Sequence, residues 1–184
     1  MPNNTRQQPM WISTGDPESV NDTFLQEPGQ LGGKATIIQP TRSASGVEAG
    51  RAKTYQLVAT DSTMTVAPYR GAIALWSDKA QYKVTTTVTN RNRIAGVFQN
   101  AVTPGNYGFI QTQGPASVKV LDADMASLAI GDAIISSSTN AKATRVAVGT
   151  APTHLPYGWV SGPAISTTPA EALVVVDLDV PDVP

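Results

Sequence analysis

Residues 94–138 alternate short apolar runs with glycine-rich turns, and this pattern restricts the chain to a fold built from strands. The run from Tyr107 to Gln113 has the two-residue period of a strand, with Gly108, Ile110 and Thr112 at the intervening positions. Turn signals stand on both sides of it, at 104–106 and at Gly114-Pro115. The pair Gly131-Asp132 divides two further apolar runs. The stretch predicts a β scaffold whose surfaces, rather than a pocket, carry the function.

The composition of the whole chain extends this prediction. Valine and isoleucine together number 28, against 9 leucines. Branching at Cβ costs rotamer freedom in a helix but packs well on a pleated surface, so this excess favours strands. The 15 glycines and 14 prolines supply many chain reversals. We therefore expect an all-β fold, a compact antiparallel sandwich or barrel-like domain. Its candidate strands are 35–39, 53–59, 63–66, 72–76, 82–89, 94–98, 107–113, 117–121, 133–136, 144–148, 158–160 and 172–178, with one short helical piece at 123–129.

The chain divides into an arm and a body. Residues 1–33 are rich in proline, glycine and polar side chains, yet they contain Trp11, Phe24 and Leu25. A freely disordered segment gains nothing by exposing such large apolar residues. We therefore predict an extended N-terminal arm that docks on its own domain or on a partner. Residues 34–184 are predicted to form the β domain, which ends in a short acidic, proline-broken tail.

A weak internal echo links two parts of the body. Tyr107-Gly108-Phe109-Ile110 is followed by Gly114-Pro115-Ala116, and Tyr157-Gly158-Trp159-Val160 is followed by Gly162-Pro163-Ala164. Two hairpins of similar shape would produce this echo, and so would coincidence.

Charge and cysteine content limit the partners and the compartment. The net charge is -1, so no overall field attracts nucleic acid or an anionic membrane. Residues 34–93 nevertheless carry nine basic and three acidic side chains, a local excess that suits contact with an acidic protein face or is chance clustering. There are no cysteines, no apolar leader and no run long enough to span a membrane. We expect synthesis in a cytoplasm, and neither nucleic acid nor membrane as a partner.

The sequence offers no constellation of residues suited to catalysis. The only histidine, His154, lies in a proline-rich loop without the partners that a triad or a zinc site requires. The pairs Asp122/Asp124 and Asp177/Asp179 lack the oxygen-rich loop of a calcium site. No phosphate-binding glycine motif is present. We therefore predict no catalytic, cofactor-binding or metal-binding residues, no cofactor and no enzymatic activity.

The large aromatic residues leave two interpretations open. Trp11, Trp76, Trp159 and Tyr107 suit a core or a subunit interface, and they would also suit a sugar-binding face. The segment Arg91-Asn92-Arg93 is typical of a basic hairpin tip.

Residues 94–138 also resemble a known family. The segments Asn106–Ala116, Val118–Val120 and Ala129–Ala133 follow one another as in the capsid decoration (head cement) proteins of tailed bacteriophages. The resemblance covers about a quarter of the chain. It implies a virion protein on the outer capsid surface, a homotrimer that stabilises contacts between subunits of the major capsid protein. The residues we expect at the capsid or subunit interface are Trp11, Phe24, Leu25, Arg91, Arg93, Tyr107 and Phe109.

Two other functions remain open at this point. A phage fibre or tail-associated carbohydrate-binding module would show an exposed aromatic patch with polar neighbours. A compact hydrolase would show a concave pocket around His154 or an aspartate pair.

Overall fold

The computed structural model describes residues 31–38, 52–89, 91–166 and 173–181, and these ranges confirm an all-β fold. Each predicted strand except 63–66 has a counterpart, and the predictions 107–113 and 117–121 correspond to one strand. The described residues form a 3-10 helix, Asp122–Ser127, and ten strands: β1 Lys34–Ile38, β2 Ala52–Thr60, β3 Ile73–Asp78, β4 Lys83–Thr85, β5 Ile94–Phe98, β6 Tyr107–Lys119, β7 Ala133–Ser136, β8 Ala143–Val146, β9 Gly158–Ser166 and β10 Leu173–Asp179.

Five of these strands close into a barrel. The order is β2-β4-β3-β5-β6, and β6 pairs back with β2 to complete the circuit. All pairings in the barrel are antiparallel except that of β2 with β4, which is parallel. Val58, Trp76, Phe98 and Ile110 belong to one buried apolar cluster of this barrel. The barrel-like alternative of the predicted fold is therefore the one that the chain adopts.

The long strand β6 connects the barrel to a second group of strands. Its first half pairs with β2 and β5, and its second half pairs with β10. From β10 the sheet continues through β9 and β7 to β8, and a bridge between Val120 and Ala143 returns β8 to the end of β6. Ile73 and Ile94 of the barrel share a buried cluster with Val118 and Val176 of the second group. The two groups therefore share this buried cluster, while the barrel also has the separate cluster around Val58 and Phe98.

The turn predicted at Gly114-Pro115 is a bend inside β6. Gly114 has φ +84°. The side-chain Nε2 of Gln111 donates to the carbonyl oxygens of Gln113, Gly114 and Pro115 at 3.0, 3.2 and 3.0 Å. These bonds hold the bent backbone, so the strand continues through it. β9 likewise runs through Gly162-Pro163. The two echoing motifs are therefore not hairpins, since each lies at or within a long strand that pairs with β10.

One predicted strand is absent and another is shorter than predicted, because polar side chains satisfy the backbone. Residues 63–66 form no strand: the Thr63 N–H and hydroxyl both donate to Asp61 Oδ1, at 3.0 and 2.8 Å. The strand predicted over 82–89 ends at Thr85, and the Val88 N–H donates to Asn140 Oδ1 at 2.9 Å. Such local hydrogen bonds compete with a strand ladder.

The predicted division into arm and body stays a prediction. Trp11, Phe24 and Leu25 lie outside the described residues. The last residues assigned to the arm adjoin the barrel: the Gly32 N–H donates to the carbonyl of Leu57 at 2.8 Å.

Candidate interaction surface

The described residues contain no group of three histidine, cysteine, aspartate or glutamate side chains placed to hold a metal ion. His154 is partly exposed in its loop, and its ring nitrogen Nδ1 donates to the carbonyl oxygen of Thr153. In the same ranges, no helix is long and apolar enough to cross a membrane.

Asp122 and Asp124 hold the 3-10 helix against β8. Asp122 forms an ion pair with Lys142 at 3.4 Å. Asp124 Oδ2 accepts hydrogen bonds from the Thr144 hydroxyl at 2.6 Å and from the Arg145 N–H at 3.2 Å. Because an unpaired edge strand can recruit other chains, these contacts protect β8 from non-specific pairing.

Asp132 fixes the loops at one end of β7 and β8. Its side chain is 2% exposed, and Oδ2 accepts from the Ala129 N–H at 2.9 Å and from Arg145 Nη1 at 3.1 Å. Oδ1 accepts from the Val148 N–H at 3.2 Å. Burial raises the pKa of Asp132, but the Ala129 and Val148 amides and the Arg145 guanidinium outweigh it, so the pKa lies below its usual value. The carboxylate therefore stays charged and joins the turn before β7 to the segment that runs from the end of β8 to Val148.

Large apolar side chains are exposed on the loops that Asp132 fixes and on β9, where Trp159 pairs with Ala133 of β7. Ile130 and Val148 are each 71% exposed, and Trp159 is 47% exposed. Gly131, next to Ile130, lies close to the Val148 side chain and donates its N–H to the carbonyl of Val160 at 2.8 Å. We call these three exposed residues the Trp159 surface. Their segments are held by backbone bonds and a buried carboxylate, so the apolar groups are presented on a rigid frame.

The site residues predicted from sequence do not form one cluster. Arg91 and Arg93 lie in the turn that precedes β5, with Arg93 exposed. The turn is not the predicted hairpin tip, because β3 lies between β4 and β5 in the sheet. Tyr107 is partly buried at the start of β6. Phe109 is 1% exposed and packs against Tyr55, so the structure assigns it to the core of this chain rather than to an interface.

The aromatic residues considered for a sugar-binding face are also separated. Trp76 is 7% exposed and belongs to the barrel core, and Trp159 is on β9 in the second group of strands. Trp11 lies outside the described residues.

Sequence reasoning missed Ile130 and Val148. A usable signal was present, because each precedes a glycine, Gly131 or Gly149, at a turn. An apolar residue at a turn tip is costly to expose and therefore suggests a contact.

Comparisons with solved structures include a protein of a bacteriophage head. No family model and no curated protein matches the chain. The crystal structure of the N base of head fibre gp8.5 from bacteriophage phi29 is similar with a TM-score of 0.42 and 14% identity, over 68% of this chain and 92% of that chain. At this level the likeness carries no argument about function.

Proposed function

We propose that this protein is a structural protein of a bacteriophage head, which binds the outer capsid surface as a decoration protein and stabilises contacts between major capsid protein subunits. It is not an enzyme in this proposal. The resemblance of residues 94–138 to decoration proteins supplies the class. The observation that carries the proposal is the Trp159 surface, since a rigid set of exposed apolar side chains suits adhesion.

The surface offers enough apolar area to contribute to binding. Complete burial of a large apolar side chain stabilises by about 1.5–3 kcal/mol. Ile130, Val148 and Trp159 begin 71%, 71% and 47% exposed, so each retains a substantial part of that gain for a partner. Tryptophan is also enriched among the residues that dominate interface energies.

A single contact of this size binds weakly, and the proposed homotrimer compensates. Three linked copies would make the second and third contacts intramolecular, which raises the overall affinity without any new contact. Light scattering tests this part: a species of about three times 19.3 kDa, in solution or after release from heads, is expected.

The test of the proposal is reconstitution on undecorated heads. We expect the purified protein to bind saturably and to raise the resistance of the heads to heat and osmotic shock. Trp159→Ala should weaken binding about tenfold or more, because truncating a central interface aromatic commonly costs at least 1.4 kcal/mol. The control is Ser62→Trp, which adds an indole on the barrel, away from the Trp159 surface, and should leave head binding unchanged.

Two results would overturn the proposal. One is the absence of saturable binding to heads by the wild-type chain. The other is saturable binding without any gain in head resistance, which would indicate a fibre-like attachment instead. Equal binding by wild type and Trp159→Ala would refute the assigned surface.

A further inference from the structure

A groove of about 530 Å³ lies on the barrel, apart from the Trp159 surface. It is formed where the end of β2 meets the turn after β3 and the turn before β6. Its volume is within the range of pockets that bind small ligands. The residues that line it are Leu31, Ala59, Thr60, Ser62, Gln81, Lys83, Gly105 and Tyr107.

Hydrogen bonds make one wall of the groove rigid. The Thr60 hydroxyl donates to the carbonyl oxygens of Thr103 and Asn106 at 3.2 and 2.7 Å, and the Thr60 N–H donates to Asn106 at 2.9 Å. Gly105 has φ +89° at the tip of this turn, and a Cβ there would lie 3.4 Å from the Ser62 Cβ. The turn therefore lies directly against Ser62, two residues beyond the end of β2.

The charge of the groove is balanced. Lys83 is the one formally charged residue among its described lining, and its Nζ is 3.6 Å from Asp61 Oδ1. Asp61 also accepts two hydrogen bonds from Thr63. These hydrogen bonds, and to a smaller extent the charge of Lys83, hold the pKa of Asp61 below its usual value, although burial raises it. The carboxylate thus stays ionised beside the ammonium group. This pairing does not favour a strongly anionic ligand.

The remaining lining combines an aromatic ring with neutral polar groups. Tyr107 supplies the ring, Leu31 and Ala59 supply apolar contact, and Ser62 and Gln81 supply a hydroxyl and an amide that both donate and accept. A pyranose ring has an apolar C–H face and a rim of hydroxyl groups. Such a ligand matches this lining in both respects, whereas an apolar ligand would leave the polar groups unpaired.

We propose that this groove binds a neutral saccharide, with Tyr107 stacking on the sugar face and Gln81, Ser62 and Lys83 contacting hydroxyl groups. The proposal concerns a site that shares no residue with the Trp159 surface, and it does not depend on the head-associated role. It would give the same chain a second contact, with a glycan.

The experiment is nuclear magnetic resonance of the full chain with a panel of soluble saccharides. The panel is lactose, maltose, cellobiose, chitobiose and methyl mannoside, and the readouts are saturation transfer to the sugar and shifts of the protein amides. We expect at least one sugar to receive saturation and to shift the amides of Ser62, Gln81 and Tyr107. The amide of Trp159 should not move.

Variants distinguish the groove from other sites. Ser62→Trp should fill the groove and abolish sugar binding, and because Ser62 is exposed this change should leave the fold intact by circular dichroism. Tyr107→Ala should weaken binding about tenfold through loss of stacking. Trp159→Ala is the matched control and should bind the sugar as wild type does.

The proposal is overturned if no sugar of the panel binds, or if the shifted amides surround Trp159 instead. It is also overturned if empty heads, and no sugar, shift the groove amides, since the groove would then be a protein contact. If the protein binds heads but no sugar, only the proposal that the groove binds a saccharide is rejected. If the protein binds a sugar but not heads, only the proposed decoration role is rejected.

Discussion

Replacement of Asp132 by alanine tests the claim that one buried carboxylate fixes the loops of the Trp159 surface. The substitution leaves three donors without their acceptor: the N–H groups of Ala129 and Val148, and the guanidinium of Arg145. A hydrogen bond to a charged group contributes about 1.5–3 kcal/mol, and breaking a buried ion pair costs about 3–5 kcal/mol. The Arg145 side chain is 23% exposed, so water replaces part of what is lost.

We therefore expect Asp132→Ala to lower the free energy of unfolding by about 3 kcal/mol. For a domain of this size the melting temperature should fall by about 6–12 °C. Calorimetry measures this change, and Asp179→Ala, which removes an exposed carboxylate from β10, is the control. A fall of less than about 2 °C in Asp132→Ala would refute the assigned role.

The same carboxylate predicts a dependence on pH. The pKa of Asp132 is lower in the folded chain than its ordinary value of 3.8, so its contribution is fully present well above that value. The contribution disappears as the pH falls through the lower, folded pKa. The stability difference between wild type and Asp132→Ala should therefore be constant near neutral pH and shrink below about pH 4. A difference that grows on acidification would contradict the argument.

Three further predictions concern the barrel and the core. Gly114→Ala should destabilise by about 3 kcal/mol or more in chemical denaturation, because a Cβ there would lie 2.2 Å from the Ala52 oxygen. Gly149→Ala, at the same φ of +84° with no atom within 4 Å, should cost only about 1 kcal/mol, and equal costs would refute the steric argument. Gln111→Leu should destabilise by about 2 kcal/mol by leaving three carbonyl oxygens without its amide donor, and an unchanged melting temperature would show that the bend of β6 does not need them. Tyr157→Phe should stabilise by about 1 kcal/mol in the same assay, since the buried hydroxyl has no partner among the described residues, and a loss of stability would indicate an unrecognised one.

The strands that sequence predicted best are those set by local signals. β5 and β7 begin and end at the predicted residues, Ile94–Phe98 and Ala133–Ser136, since turn residues precede both and each begins with an apolar run. The sequence predicts two strands in place of β6 because Gly114-Pro115 is an ordinary turn signal. What overrides it is the side chain of Gln111, and nothing in the sequence indicates that its amide spans three successive carbonyls.

The candidate site was only partly accessible to sequence reasoning. The sequence identifies Trp159 as a large aromatic residue, but it indicates only a break between apolar runs at Gly131-Asp132 and not the three contacts of the Asp132 side chain. Its partners Arg145 and Val148 lie 13 and 16 positions away along the chain. Pairing at that separation depends on how β7 and β8 meet.

The amino-acid order alone determines that this chain forms strands, because a two-residue period and β-branched side chains act over a few neighbouring positions. It does not determine which aromatic residue is covered. Phe109 and Trp159 occupy the same position in two similar segments of sequence. Phe109 is nevertheless buried beside Tyr55, whereas Trp159 is 47% exposed. Only the tertiary structure decides this, since burial depends on whether a distant segment packs over that face of the sheet, as Leu31 and Ala35 do over Phe109.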